Sequence, residues 1–239
     1  MAPAAVISPS ILSADFANLA PEAKKCIQAG AQWLHVDVMD GHYVHNLTIG
    51  PPVVKSLKAA VGTSAVLDCH LMVTEPTEWV DDFAKAGADI FTFQLDAVAP
   101  SCLTSETVIP EELEKAKALM KAIKGAGMKA GVCLRPKAAA ACVAPLVEAG
   151  LVDLILVLTV EPGFGGQAFM PEMVPKIEAL RKAYPDMDIE VDGGIKDSTV
   201  GAAAKAGANV VVAGSYVFGA SDLKAAVSTL QAALDAAAA

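Results

Sequence analysis

The sequence is short of several things. Although 54% of its 239 residues are hydrophobic, no run reaches the eighteen apolar residues of a membrane span, so no membrane-spanning helix is expected. Basic residues are in deficit: 18 Lys and Arg against 27 Asp and Glu leave a formal net charge of −9. That argues against a general nucleic-acid surface and against an anionic membrane surface. It leaves an anionic small molecule open, because phosphate can be held by neutral backbone amides. The five cysteines, Cys26, Cys69, Cys102, Cys133 and Cys142, form no C-x-x-C pair and are odd in number, which reads as reduced thiols in a reducing compartment. The opening "MAPAAVISPSIL" has no basic segment before Lys24 and no Arg-rich character. A secretory or transit leader is therefore not expected, and the cytoplasm is. Neither a long linker nor a low-complexity block divides the chain.

What is there is a regular alternation. Short β-rich runs stand at 5–12, 33–39, 65–73, 90–96, 129–134, 154–160, 188–192 and 210–215. Helical stretches fill the gaps at 15–29, 51–60, 76–86, 110–125, 138–149, 171–184, 197–206 and 221–236. Four of the helical stretches close on a similar phrase, "QAGAQ", "KAGAD", "EAGLVD" and "KAGAN", whose glycine suits the position just past a helix end. Alternating units predict parallel strands, since each helix carries the chain back. Eight units in this length predict an α/β fold of the (β/α)8 TIM-barrel kind, with residues 1–239 as one catalytic domain. A doubly wound open sheet is the alternative. Against it, the first strand is followed by "SPSILSAD" and not by G-x-G-x-x-G.

The stretch "WLHVDVMDGHYVH" sets a polar problem inside an apolar strand. A period of two puts His35, Asp37 and Met39 on one face, and burying an imidazole or a carboxylate unpaired is costly. The third strand carries Asp68, His70 and Met72 on one face. The seventh carries Asp188, Glu190 and Asp192, with two glycines directly after. In a parallel barrel function is built at the C-terminal strand ends, so His35, Asp37, His70 and Asp192 can converge there. Two imidazoles and two carboxylates suit one divalent first-row metal ion, and a cation compensates buried carboxylates. The competing reading is a set of Asp–His pairs that merely satisfy one another. Four such residues at three strand ends weigh against it. Asp68, Asp188 and Glu190 sit lower on their strands and read as supporting polar groups. Met39 and Met72 read as an apolar lining that excludes water.

The sixth strand ends in "TVEPGFGGQAF", the seventh in "DGGIK" and the eighth in "AGSY". Loops after late strands commonly hold phosphate in barrels. Residues 160–170 contain no Lys or Arg, so backbone amides are expected to grip the phosphate. Lys196 reads as a solvated residue at a helix start. The sixth loop is long enough to close as a lid.

Taken together, "SPSILSADFANL", "LHVDVMDGHYVHNLTIGP", "DCHLMVTEP", "TVEPGFGGQAF" and "IEVDGGI" make the chain resemble the ribulose-phosphate 3-epimerase family over nearly its whole length. The resemblance implies a (β/α)8 barrel that interconverts ribulose 5-phosphate and xylulose 5-phosphate through a cis-enediolate. It implies one divalent ion, Zn, Fe(II), Mn or Co, on His35, Asp37, His70 and Asp192, with Asp37 and Asp192 as the acid/base pair. It assigns Ser10, His70, Met39, Met72 and Asp192 to the substrate. Gly163, Phe164, Gly165, Gly166, Gly193, Gly194, Gly214 and Ser215 go to its phosphate end. A homo-oligomer, dimer or hexamer, is implied as well. Several positions depart from the family pattern. Leu158 stands where a third Met is usual, Gln94 and Asp96 where many members have His and Glu, and His45 where Pro is common. Segment 97–110 is longer than usual and is expected on the catalytic rim. The alternatives are a 3-epimerase of a related ketose phosphate such as allulose 6-phosphate, and a non-catalytic sugar-phosphate-binding barrel. The latter would need the phosphate loops but neither aspartate. A metal-free isomerase of the triose-phosphate type would need only one base on one face.

Overall fold

The computed structural model describes residues 3–238. Eight strands appear in chain order: β1 (Val6–Ser8), β2 (Trp33–Met39), β3 (Val66–Met72), β4 (Ile90–Gln94), β5 (Lys129–Leu134), β6 (Leu154–Leu158), β7 (Asp188–Asp192) and β8 (Val210–Val212). All pair in parallel in the order β1-β8-β7-β6-β5-β4-β3-β2. The remaining seam, between β1 and β2, is joined by a parallel bridge from Ser10 to His35, with the His35 N–H donating to the Pro9 carbonyl at 3.0 Å. This is the expected (β/α)8 barrel, in one domain.

The period of two sorts each strand into two layers. Leu34, Val36 and Val38 of β2, Leu67, Cys69 and Leu71 of β3, Phe91 and Phe93 of β4, and Ile189 and Val191 of β7 join the large apolar cluster that also contains the helix faces. A second, smaller cluster of Val6, Trp33, Ile90, Cys133, Leu154, Leu156, Leu158 and Val210 belongs to the other face. On that inner face β2, β3, β4 and β7 also carry His35, Asp68, His70, Thr92, Gln94 and Glu190, all fully buried. One side of the barrel interior is therefore polar, and the β5–β6 side is apolar. Thr92 fits because its neighbour across the ladder is Gly131, where any Cβ would overlap the Thr92 hydroxyl.

The helices form for local reasons. Pro110–Gly125 has Pro at its start, Glu111 and Glu112 in the first turn and Lys124 in the last, matching the helix dipole. Its buried residues Ala116, Leu119, Met120 and Ile123 recur at three- and four-residue steps and make one face. The glycines that close the four phrases, Gly30, Gly87, Gly150 and Gly207, all have positive φ, as helix-end caps do. The expected helices at 76–86, 138–149 and 171–184 each open with a 3-10 turn, Pro76–Trp79, Ala140–Val143 and Pro171–Met173. The last helix runs Leu223–Ala238, through the Ala-rich end.

Three strands, β1, β6 and β8, end two or more residues short of expectation at their C-terminal ends, with one cause. The ladder stops at Leu158↔Asp192, Asp192↔Val212 and Ser8↔Val212. Beyond Asp192 the chain turns through Gly193 and Gly194 at positive φ, so its neighbours lose their partner. Ser215–Phe218 becomes a short helix and Ile11–Ser13 a 3-10 turn. The fourth strand ends at Gln94, and Leu95–Val98 is helical. Leu95 is fully buried and Asp96 turns to Tyr43 and Arg135. Segment 97–110 continues as the 3-10 turn Pro100–Leu103 and is tied to the next helix by the Ser101 N–H donating to Glu112 at 3.0 Å. None of its residues lines the cavity described below.

Candidate metal centre and active-site cavity

The register of β2 and β3 sets His35 beside Asp68, Asp37 beside His70, and Met39 beside Met72. Barrel closure then brings Asp192 of β7 and Ser10 after β1 to the same place. One ligand atom from each of His35, Asp37, His70 and Asp192 lies within 4.8 Å of the others. These are the four residues the sequence singled out.

Asp37 is the hub. Its Oδ2 accepts from the Ser10 hydroxyl at 2.6 Å, and its Oδ1 lies 3.3 Å from His70 Nδ1 and 3.4 Å from His35 Nε2. Its backbone carbonyl accepts from the Thr48 hydroxyl at 2.7 Å. His35 is oriented from below: its Nδ1 is 2.6 Å from Asp68 Oδ2 and 3.5 Å from Glu190 Oε1. A proton held on Nδ1 by Asp68 leaves Nε2 as the atom that faces Asp37 and Asp192, the latter at 4.0 Å. His35 Nε2 is buried and makes no hydrogen bond. That orphaned nitrogen, between two carboxylates and near a second imidazole, fits a divalent cation of mixed N/O preference.

The electrostatics follow from burial and neighbours. Burial would raise the Asp37 pKa, but His35 and His70 outweigh it and hold the carboxyl well below the usual range. Burial pushes Asp192 up to about 7, the Asp37 charge adds to this, and His35 opposes it. Burial lowers His70, with Asp37 partly offsetting. Burial would also lower His35, yet Asp68 and Asp37 raise it well above its ordinary value. Glu190 is raised well above the carboxylate range by burial and by Asp68. The site thus holds two carboxyl groups with opposite proton preferences, the usual arrangement for an acid and a base side by side.

Above this cluster opens a cavity of about 710 Å³. Ser10, Met39, Met72, Gly163, Phe164, Gly165, Gly166, Asp192, Gly193, Gly194, Gly214 and Ser215 all line it. Of the expected substrate contacts only His70, fully buried, does not. Met39, Met72 and Leu158 are buried apolar lining. Lys196 is the one cationic side chain of the lining, and it is exposed. The rim loops lock together at Gly194, which has φ 65° and where a Cβ would collide with the Phe169 backbone. The Thr159 hydroxyl also donates to the Gly193 carbonyl at 2.6 Å. Two contacts escaped the sequence reading. Asn46 donates to the Gly163 carbonyl at 2.8 Å, joining the second loop to the sixth. Tyr43 and Arg135 both reach Asp96, and Arg135 also reaches Glu161 at 2.8 Å, a network across four rim loops. Neither has a local signal, since partners lie far apart in sequence.

Comparison with known proteins gives a consistent result. The family described as the ribulose-phosphate 3 epimerase family matches residues 6–218. A "Ribulose-phosphate 3-epimerase, cytoplasmic isoform" of Oryza sativa subsp. japonica is 52% identical over 231 residues, covering 96% of this chain and 94% of that protein. The ribulose-phosphate 3-epimerase of Schizosaccharomyces pombe is 46% identical over 228 residues, covering 95% of this chain and 92% of the relative. Among solved structures, the 3-keto-L-gulonate-6-phosphate decarboxylase of Vibrio cholerae superposes with a TM-score of 0.70 at 12% identity, over 99% of both chains. The 3-hexulose-6-phosphate synthase of Salmonella typhimurium gives 0.67 at 19%, over 97% of this chain and 99% of the other. At those identities the likeness is one of fold.

Proposed function

The chain belongs to the ribulose-phosphate 3 epimerase family and is an epimerase, and from that premise we propose that it interconverts ribulose 5-phosphate and xylulose 5-phosphate by passing the C3 proton between Asp37 and Asp192. The observation that carries this reading is the meeting of those two carboxylates, from β2 and β7, at the floor of a cavity rimmed by glycine loops. Inversion beside a ketone removes a proton from one face of a flat enediolate and returns one to the other. Carboxylates approaching from different strands suit the two faces. Each acid/base group is worth on the order of 10²–10⁴ in rate.

His35, Asp37, His70 and Asp192 would hold one divalent ion, Zn, Fe(II), Mn or Co. When bound, it would supply positive charge that favours the cis-enediolate over the ketone. The chain's own residues do the rest. The Ser10 hydroxyl holds Asp37 Oδ2 and so aims the carboxylate. Met39, Met72 and Leu158 keep water from the reacting carbons. Backbone amides of Gly163–Gly166, Gly193, Gly194, Gly214 and Ser215 take the phosphate. The lone, exposed Lys196 of the lining supports a grip by dipoles over a grip by charge. Five unpaired cysteines support the cytoplasm as the compartment, and among the described residues no helix is long and apolar enough to cross a membrane. Exposed Phe16 and Ile109 fit the homo-oligomer, dimer or hexamer, which sedimentation velocity reads directly.

The test is chelation followed by metal restoration, with elemental analysis of the purified protein. Activity on ribulose 5-phosphate should vanish and return. Full activity in demonstrably metal-free enzyme refutes the metal centre. Faster turnover of allulose 6-phosphate than of ribulose 5-phosphate would replace the pentose reading by the hexose one.

A further inference from the structure

Gln94 is a fully buried amide on the inner face of β4, and none of the roles assigned above uses it. Its side-chain nitrogen lies 2.8 Å from His70 Nε2. Its oxygen is buried without a hydrogen-bond partner. The Asp37 carboxylate beside Nδ1 can only accept, which draws the His70 ring proton to that side and leaves Nε2 as the bare nitrogen facing the Gln94 amide. The ring proton then sits on Nδ1, 3.3 Å from Asp37 Oδ1. This pattern satisfies His70 in the absence of a cation.

The same geometry is the wrong way round for a ligand. The His70 atom that shares Asp37 Oδ1 with His35 Nε2 is Nδ1, while Nε2 points to Gln94. To offer Nδ1 to a cation, the neutral ring must carry its proton on Nε2. That N–H would then meet the N–H of Gln94, donor against donor. Turning the amide over removes the clash. The oxygen that lacks a partner becomes the acceptor that Nε2–H needs, and the two ends of an amide differ little in size.

We propose that Gln94 is the positioning residue of His70 and reverses its amide when a divalent cation binds, accepting from Nε2–H and leaving Nδ1 free to ligate. One proton leaves Nδ1 and one is taken up at Nε2 through solvent, so His70 stays neutral and releases none in net. The inference rests on the metal-centre reading of the previous subsection and extends it to a residue outside the ligand set.

The experiment uses the full-length chain labelled with 15N in histidine and glutamine, stripped with chelator and titrated with Zn²⁺. Long-range 1H–15N spectra report which nitrogen of each ring is bare, protonated or ligated, and His70→Gln assigns the His70 signals. In the cation-free protein His70 should be protonated on Nδ1. With Zn²⁺, Nδ1 should show ligation, Nε2 should be protonated, and the Gln94 amide signals should move. Competition against a chelating dye should show Zn²⁺ affinity about 10- to 100-fold weaker in Gln94→Met, the usual cost of losing a ligand's outer hydrogen-bond partner. Gln94→Glu, which can only accept, should bind at least as well as the natural protein. An unchanged His70 tautomer in Zn²⁺-loaded protein, or undiminished affinity in folded Gln94→Met, overturns the role of Gln94 while leaving the metal centre standing. Failure of the natural protein to take up any Zn²⁺, Fe²⁺, Mn²⁺ or Co²⁺ overturns the metal centre, and this inference with it. Should Gln94→Met not fold, the spectra of the natural chain still decide.

Discussion

Asp192→Asn should make the cation-free protein more stable at alkaline pH while removing its turnover. The Asp192 side chain is 20% exposed, and its ion-pair neighbour His35 Nε2 is 4.0 Å away. Burial and the Asp37 charge carry its pKa from 3.8 to about 7. A carboxyl with a raised folded pKa holds its proton more tightly in the folded state. Its contribution is therefore complete below the unfolded value and is lost as pH rises through about 7. That difference corresponds to about 4 kcal/mol, and solvent reaching the side chain reduces it to roughly 2 kcal/mol. Asparagine cannot ionise and keeps the contribution at every pH. In chelator-treated protein at alkaline pH the variant should melt about 4–8 °C above the natural chain. Near pH 5, where Asp192 is protonated, the two should coincide. Saturating divalent cation should narrow or invert the alkaline gap, because the natural chain then gains a charged fourth ligand. Turnover should fall by at least about 10², or roughly 2.7 kcal/mol of barrier. Scanning calorimetry at the two pH values, with and without cation, reads all of this. A variant less stable than the natural chain at both pH values, or a gap independent of pH, would show that burial does not disfavour the Asp192 carboxylate, and the reasoning would fail.

Two more outcomes follow from the geometry. If Asp37 and Asp192 serve opposite faces, Asp37→Asn and Asp192→Asn should each retain exchange of the C3 proton for solvent deuterium with opposite epimers. NMR of ribulose 5-phosphate and xylulose 5-phosphate incubated in D2O checks this once metal occupancy is matched, and equal residual exchange from both epimers in both variants points to a single base reaching both faces. At the rim, Gly165 lacks a positive φ and a Cβ there would meet nothing nearer than 3.8 Å. Gly165→Ala should therefore leave KM nearly unchanged, whereas Gly165→Asp should raise it strongly by repelling phosphate. Lys196→Ala should move KM little, and the reverse ranking of Lys196 and Gly165→Asp in steady-state kinetics would mean that charge, not backbone, grips the phosphate.

Much of this protein can be read along its chain. Eight strand–helix units, with glycines closing four of the helices, imply parallel strands because each helix carries the chain back, and eight units in this length match a closed barrel. The sets His35, Asp37 and Met39, then Asp68, His70 and Met72, then Glu190 and Asp192, fall on single faces by the period of a strand alone, which marks the four candidate ligands in the sequence itself. What the chain order does not contain is who meets whom across the barrel. Ser10 lines the cavity and its hydroxyl also holds Asp37 Oδ2, because closure of β1 on β2 brings together residues 27 positions apart. Strand ends were overrun for the same reason: Leu158, Val212 and Ser8 stop where their neighbour's ladder stops, not where their own β-rich pattern does. The Gln94–His70 contact joins β4 to β3, and in one dimension Gln94 is only a departure from pattern. The opposed proton preferences of Asp37 and Asp192 are decided last. Both are the same residue type on similar strands, and their unequal distances to the imidazoles in a buried space set them apart: Asp37 lies 3.4 Å from His35 and 3.3 Å from His70, Asp192 4.0 Å from His35.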